Sequence, residues 1–318
     1  MKILTLMATV LITGGTGMIG KALTKALLEK GYEVIILTRS AKQLKIKNEK
    51  LKIDYTEWNV AKQLIDENAI AKADYVIHLA GANVGEKRWT KKRKREIISS
   101  RVDSGKLIAG SLKNIPNKVK AVVSASAMGW YGPDTFPGGK AFKETDPPFN
   151  DFLGQTCKIW EESIQPVTQL GKRLVLLRTG IVLSKDGGAL KEFIRPLKFG
   201  LATILGRGKQ IISWIHIDDL VNLYISAIEN EKLYGVYNAV APNPVSNKEF
   251  VLKLAKEKNN FFIPLRVPAF VLKIVLGEMS IEVLKSARVS SEKIEKDGFK
   301  FLYPTIDSAF QKLLHHNP

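Results

Sequence analysis

The sequence is poor in the residues that build covalent and metal cross-links: it holds one cysteine, Cys157, and four histidines in 318 residues. A single thiol excludes an internal disulfide and suits a reducing compartment, so the expected location is cytoplasmic. His78, His216, His315 and His316 share no metal-ligand spacing and no second cysteine could complete a site, so no metal is expected. Long apolar runs are missing as well. None reaches the roughly 18 residues that span a bilayer, and no membrane partner is expected. Lys2 followed by Ile3 to Ile12 superficially resembles a short signal peptide, but that apolar run is needed as the first strand, which argues against export. Met7 opens MATVLITGG, leaving Met1 or Met7 as the start. Acids are scarce too: 31 against 49 lysines and arginines, a formal net charge of +18. Such a field favours anionic partners, although lysines dispersed along the whole chain also make an ordinary solvated surface.

What is present is concentrated near the start, in TVLITGGTGMIGKALTKALLEKGYEVIILTR, Thr9 to Arg39. An apolar β-branched run (Val10, Leu11, Ile12) meets a glycine turn (Gly14, Gly15, Gly17, then Gly20). An amphipathic segment follows, with Ile19, Leu23, Ala26 and Leu27 at helical intervals. Gly31 closes it, and a second buried-type run covers Glu33 to Thr38. Strand, tight turn, helix, strand is the unit that builds a parallel sheet with crossover helices. A glycine fingerprint in that setting predicts a pyrophosphate site. Gly14 and Gly15 permit backbone conformations closed to other residues, Gly17 leaves no side chain before the phosphates, and Gly20 lets the helix pack close. Around Thr16, Met18 and Ile19 the backbone N–H groups lack intrahelical partners, and the helix dipole adds positive charge there.

The end of the second strand selects the cofactor. NAD sites usually place an acid there for the ribose 2′-hydroxyl, whereas an arginine accommodates a 2′-phosphate. This chain reads Thr38-Arg39-Ser40, with no acid until Glu49. Arg39 and Ser40 therefore point to NADP(H), a guanidinium matching phosphate bidentately. The alternative is an Arg39 that merely reaches into solvent from a strand end.

Further along, Leu51 to Tyr55 reads as a strand reaching Trp58-Asn59, Ala61 to Ala73 has helical spacing, and Asp74 to Gly81 reads as the fourth strand. Trp89 to Leu112 is helical with a basic start, Lys120 to Ala125 a strand, Phe149 to Leu170 helical, and Arg173 to Leu183 another strand. Trp214 to Leu220 leads into a helix ending at Glu229, Gly235 to Ala239 is a short strand, and Ser246 to Glu249 is a capping box. The expected fold is α/β: a doubly wound parallel sheet of Rossmann type over residues 1–240, with part of 184–215 serving the substrate side and a small C-terminal α/β lid over 241–318. The basic cluster from Lys87 to Arg95 is the best candidate for nucleic acid, but it has one aromatic, Trp89, and no binding motif. A solvated helix start is the expected reading.

TGGTGMIG, DYVIHLAG, VSASAMGWYG, RTGIVLSKDGG and WIHIDD together resemble the extended short-chain dehydrogenase/reductases of the NAD(P)-dependent epimerase/dehydratase type. GANVGEKRW, SRV, FLGQTCKIWE and GGALKEF resemble the atypical "epimerase family" group (family 39U), whose members carry a C-terminal domain of unknown function. The likeness runs from Val10 to about Phe310. It implies a nicotinamide dinucleotide on Gly14, Gly17 and Gly20, a base at Arg39, and a cofactor-facing strand end at Leu79, Ala80 and Gly81. Ser124 and Thr179, on the next two strands, complete the implied cofactor contacts. Ser126 falls on the family's catalytic serine, with Ser124 as rival if Gly129 is an insertion.

The departures are in the acid–base residues. Members use Tyr-x-x-x-Lys on the helix after the serine strand, the phenol exchanging a proton while nicotinamide exchanges a hydride. Aligned on Glu161, this chain has Leu153 and Cys157 at those positions, and Lys158 is about 100° further round the helix. Arg101 replaces the family's structural asparagine. Pointing into the cleft it would favour an anionic substrate, with Arg207 joining it; in solvent it would only cover a helix face. Tyr131 is either a displaced acid or a structural residue closing its strand. Two functions stay open: an NADP(H)-dependent oxidoreductase or nucleotide-sugar epimerase acting on a small anionic or nucleotide-linked substrate, or a non-catalytic NADPH-sensing protein. Monomer and homodimer are both open.

Overall fold

The computed structural model describes residues 8–40, 52–134, 139–258 and 261–315. Its frame is an eight-stranded sheet. The early strands are β1 (Thr9–Thr13), β2 (Glu33–Thr38), β3 (Ile53–Asn59), the two-residue β4 (Leu64–Ile65) and β5 (Tyr75–His78). Next come β6 (Ala121–Ala127) and β7 (Arg173–Thr179). After three short strands and a two-residue one, β8 (Ile181–Leu183), β9 (Leu201–Leu205), β10 (Ile211–Ile212) and β11 (Trp214–His216), the last sheet strand is β12 (Gly235–Ala239). The order is β12-β7-β6-β5-β1-β2-β3-β4, parallel throughout except for β4, which runs antiparallel to β3 at the edge.

The chain steps outward from β1 through β2 to β3 and returns to β5 on the other side of β1. Strand order therefore reverses at β1, and the crevice at the carboxyl ends of β1 and β5 is where open α/β sheets bind ligands. Every residue of β1 is buried, which explains its continuous apolar run: both faces are covered. Helix α1 (Met18–Glu29) packs on one face with α6 (Ile217–Glu229), through Leu23, Leu27, Leu220 and Tyr224. On the other face lies α3 (Lys91–Asn114), which packs against α4 (Phe152–Ile164) and buries Leu107, Ile108 and Leu112.

Three expectations change. Only Glu67–Lys72 of the Ala61–Ala73 stretch is helical (α2), because Asp66 caps it by accepting from Asn68 and Ala69 N–H. Leu64–Ile65 pairs with β3 instead, which makes Tyr75–His78 the fifth strand rather than the fourth. The predicted strand from Arg173 to Leu183 breaks at Gly180, where a Cβ would lie 2.7 Å from the Ser213 carbonyl oxygen. Beyond that point β8 pairs with β11 outside the main sheet.

A second core joins residues from 183–214 to residues from 241–313. Leu190, Leu197, Trp214, Phe250, Leu254 and Phe310 meet in it, contributed partly by α5 (Ala189–Leu197) and α7 (Asn247–Glu257). Ser246 caps α7 by accepting from Glu249 N–H, while Glu249 turns to Lys253 and leaves the capping box half formed. The two-residue β13 (Val245–Ser246) leads into α7, and after that helix comes β14 (Ile263–Val267), which pairs with β9. Helices α8 (Ala269–Leu276), α9 (Ser280–Leu284), α10 (Glu292–Lys296) and α11 (Ile306–His315) follow. Segment 285–290 is stitched to the loop after β6: Lys285 Nζ donates to the Tyr131 carbonyl, and Asp134 accepts from Ser286 Oγ and Arg288 N–H. This lobe closes over the ends of β6 and β7. No helix of the described residues is long and apolar enough to cross a membrane.

Candidate dinucleotide cleft and its buried ion pair

The glycine turn sits at the carboxyl end of β1, and its demands differ residue by residue. Gly14 has φ +70°, and a Cβ there would lie 2.9 Å from the Leu79 backbone. Gly15 has no positive φ, contrary to the sequence expectation; it is glycine because Ile36 side-chain carbons lie 2.8 Å from where its Cβ would be. Gly20 makes room for the turn itself: its Cβ would meet the Gly14 carbonyl oxygen at 2.4 Å. Thr16 and Gly17 are exposed at the tip. Gly17 is the N-cap of α1 and supplies no side-chain hydrogen bond, so the first N–H groups of α1, at Met18, Ile19 and Gly20, face the crevice without a cap. Bare amides, a helix dipole and no Cβ at Gly17 fit a diphosphate. Met18 lies against Gly187 and Gly188, so the loop between β8 and α5 borders the same mouth.

Arg39 is exposed just past β2, the strand paired with β1. Ser40 follows it, its N–H 3.5 Å from Thr38 Oγ1. Residues 41–51, which follow, lie outside the described residues.

On the other side of β1, one hydroxyl sets the position of the β5 end. Thr13 Oγ1 accepts from both Leu79 and Ala80 N–H, so its own hydrogen goes to His78 Nδ1 at 2.7 Å. That places the imidazole proton on Nε2, which donates to Ser104 Oγ, and Ser104 passes its hydrogen to the Ser100 carbonyl. His78 is fully buried and neutral, its pKa pulled down to about 4 by burial and then by Arg101. Helix α3 grips the next residues: Ser100 Oγ accepts from Ala82 N–H, and Arg101 Nη1 donates to the Ala82 and Ile97 carbonyls. Leu79, Ala80 and Gly81 are thereby fixed at the crevice, and a Cβ on Gly81 would come within 3.1 Å of the Arg101 guanidinium.

Arg101 is 9 % exposed, stacked 4.9 Å above the Trp160 ring. Among the described residues no carboxylate pairs with it and its Nε and Nη2 make no hydrogen bond. Burial pulls its pKa down to about 10, so it remains charged at neutral pH. Of the two sequence alternatives, a solvated helix face is excluded. Arg207 does not join it: exposed on the Gly206–Gly208 turn, it sits on a loop packed against Leu284 and Lys248.

The three residues nominated for catalysis part company here. Ser126 is 3 % exposed and donates its hydroxyl hydrogen to Glu161 Oε1 at 2.6 Å, so that hydrogen is not presented to a substrate oxygen. Ser124, the rival, is fully buried and donates to the Ala125 carbonyl. Tyr131 is fully buried as well, giving its hydrogen to Asn238 Oδ1 and accepting from Arg178 Nη1; burial pushes its pKa up to about 12. Its hydroxyl is engaged on both sides by protein groups, as expected of the structural alternative. Thr179 ends β7 half-buried, its hydroxyl donating to the Leu177 carbonyl.

Sequence reasoning missed the centre of this network, a bidentate pair of Arg178 and Glu161. Nε and Nη2 of Arg178 meet the two carboxylate oxygens at 2.8 and 3.0 Å, and the guanidinium lies 3.6 Å from the Trp130 ring centroid. Against burial, which lowers it, the hydrogen bonds and charge of Glu161 hold the Arg178 pKa above its ordinary value. The signal was legible: a charge inside the run LVLLRTG must find a partner. Leu153, where the resemblance expects tyrosine, sits 3.2 Å from a Cβ built on Gly129, and Cys157 Sγ lies 3.6 Å from the same point. Burial pushes the Cys157 thiol up to about 12, so it stays protonated. At the rim, Trp89 stacks edge-on with Phe152 at 5.0 Å and donates to the Val84 carbonyl. The basic cluster beside it is partly consumed: Arg93 pairs with Glu86 and Glu96, Lys94 with Glu278.

A doubly wound sheet with a bare glycine turn at its switch point defines a dinucleotide-binding protein of Rossmann type. The NAD dependent epimerase/dehydratase family profile matches residues 10–239, and the chain belongs to that family. Residues 267–313 match a domain of unknown function, DUF1731. Relatives include Epimerase family protein SSP1921 of Staphylococcus saprophyticus, 38 % identical over 305 residues (96 % of this chain and 99 % of that protein). Epimerase family protein YfhF of Bacillus subtilis is 34 % identical over 307 residues, 95 % of this chain and 97 % of that one. Among solved structures, human epimerase family protein SDR39U1 with NADPH superposes with a TM-score of 0.83 at 28 % identity, covering 97 % of this chain and all (100 %) of that one. UDP-N-acetylglucosamine 4-epimerase from Bacillus cereus shares the fold, with a TM-score of 0.75 at 18 % identity over 97 % of this chain and 100 % of that one.

Proposed function

We propose that this protein binds NADP(H) and acts as an oxidoreductase or nucleotide-sugar epimerase on a small anionic or nucleotide-linked substrate. The observation that carries the cofactor is the uncapped mouth of α1 at the bare turn, one strand from the exposed Arg39. Thr16, Gly17, Met18, Ile19 and Gly20 would hold the diphosphate, Arg39 with Ser40 the 2′-phosphate, and Leu79, Ala80 and Gly81 the face of the dinucleotide. The NADPH in the human SDR39U1 structure supports the same choice. When bound, the nicotinamide supplies hydride transfer. Arg101, charged and without a carboxylate beside the β5 end, would orient an anionic group of the substrate. Ser126, Glu161 and Arg178 position the β6 end rather than exchange protons.

The second reading is a non-catalytic protein that senses NADPH. It draws on the hydrocarbon of Leu153 and the protonated thiol of Cys157 at the place where the resemblance expects a proton relay. Titration of the protein with NADPH and NADH, before and after Arg39→Asp, tests the cofactor. The variant should lose about 10- to 100-fold in NADPH affinity, the worth of a charged bidentate contact, with NADH little changed. Equal weakening of both would refute the 2′-phosphate assignment. Turnover of NADPH with a panel of carbonyl compounds and sugar nucleotides separates the readings. An enzyme should show an elevated KM in Arg101→Met for anionic substrates only; tight NADPH binding with no turnover on any of them selects the sensor.

A further inference from the structure

Apolar side chains that the cores leave out gather on one part of the C-terminal lobe. Phe199 is 79 % exposed and Phe261 86 %, next to each other because Ile263 N–H bonds the Gly200 carbonyl where β14 joins β9. Ile263 and Leu265 continue along β14, most of whose residues are exposed. The chain then enters α8, where Phe270 and Ile274, one turn apart, are 64 % and 69 % exposed, and Val275 is exposed beside them. A buried-type sequence, AFVLKIVL, here contributes only Leu272 to the interior. So large an uncovered apolar face marks an interaction site.

The charges on this face decide what covers it. From Phe261 to Leu276 the sequence contains no acid. Lys273 lies on α8 beside Ile274 and Lys198 stands beside Phe199, both exposed, while alternation along β14 turns Arg266 to the strand face opposite Ile263 and Leu265. A second copy would bring the same bases onto the same face and add another +18 charge. Aromatic and aliphatic side chains interspersed with lysine, on a strongly cationic protein, complement the acyl boundary and phosphates of an anionic bilayer. We infer that strand β14 and helix α8 dock this protein peripherally on an anionic phospholipid surface, Phe261, Phe270 and Ile274 entering the acyl boundary and Lys198 and Lys273 meeting the phosphates. The absence of a spanning helix is compatible with this, since the face lies on the membrane. The docking surface adjoins the rim of the cleft: Gly277, immediately after α8, packs on Arg88, and Glu278 pairs with Lys94.

The test is co-sedimentation of the full chain with vesicles of phosphatidylcholine alone and with about a third phosphatidylglycerol. Binding should be at least tenfold stronger to the anionic vesicles, weaken with salt, and fall at least tenfold in Phe270→Asp/Ile274→Asp. NADPH affinity, measured on the same variant, should be unchanged, which reports that the variant is folded and separates this inference from the cofactor assignment. Absence of binding to anionic vesicles at low salt overturns it, as does equal binding to both compositions. A dimer in sedimentation velocity that Phe270→Asp/Ile274→Asp dissolves would overturn it in favour of a second copy.

Discussion

Breaking the Arg178–Glu161 pair should cost more than deleting it. In Glu161→Met, Arg178 stays charged at a position 2 % exposed, with Nε and Nη2 losing both carboxylate oxygens. Removing one partner of a buried pair typically costs about 3–5 kcal/mol. The lower end applies here, because Nη1 keeps the Tyr131 hydroxyl and the Glu144 carbonyl, and Trp130 still underlies the guanidinium. Arg178→Met strands Glu161 with the Ser126 hydroxyl as its one remaining hydrogen bond among the described residues, at a similar cost of about 3 kcal/mol. The double variant buries two apolar chains of comparable volume and no charge, so it should cost no more than either single change and about 1–2 kcal/mol at most. Urea unfolding followed by tryptophan fluorescence measures all three, Trp130 reporting directly from the site. If the double variant loses the sum of the two single losses, the pair is not coupled and the account of this network is wrong.

The two buried histidines predict a weakening in mild acid. Burial holds both His78 and His216 neutral with pKa lowered to about 4, against an ordinary value of 6.5. Between those values the unfolded chain binds protons that the folded chain refuses, so stability should fall as pH drops from 6.5 toward 4. The slope should approach two protons, with a limit on the order of 3 kcal/mol for fully buried His78. His78→Gln should bring the slope toward one proton, and an unchanged slope would contradict the assignment. Glycines offer a matched comparison: Gly20→Ala drives a Cβ to 2.4 Å from the Gly14 carbonyl oxygen and should abolish tight dinucleotide binding. Gly110→Ala, in α3 with nothing within 4 Å, should instead gain about 0.5–1 kcal/mol with binding intact. Calorimetric titration with NADPH alongside thermal unfolding checks both.

The β1–turn–α1–β2 unit was legible because its information is local. Period, glycine spacing and the missing cap all lie within one stretch of chain, and a strand buried on both faces has to read as an unbroken apolar run. Helix α6 and strand β12 were legible on the same ground. The helix over Ala61–Ala73 was misread because apolar spacing in a short segment cannot distinguish a helix from an edge strand followed by one, and the pairing with β3 decided it.

What the sequence by itself determined is therefore the parallel-sheet frame and the glycine-lined, positively polarised turn at its switch point, since strand periodicity and glycine geometry are properties of adjacent residues. The tertiary structure alone decided the roles of the polar side chains around that turn. Alternation along β6 puts Ser124 and Ser126 on one face, but only the packing of α4 turns that face toward Glu161 and takes Ser126 away from the crevice. Likewise nothing in SRV tells whether Arg101 meets water or protein; Trp160 and Ala82, brought from elsewhere in the chain, join Ile97 one turn back in α3 and bury it with no acid among the described residues. A buried charge is defined by its partners, and those come from residues distant in the chain.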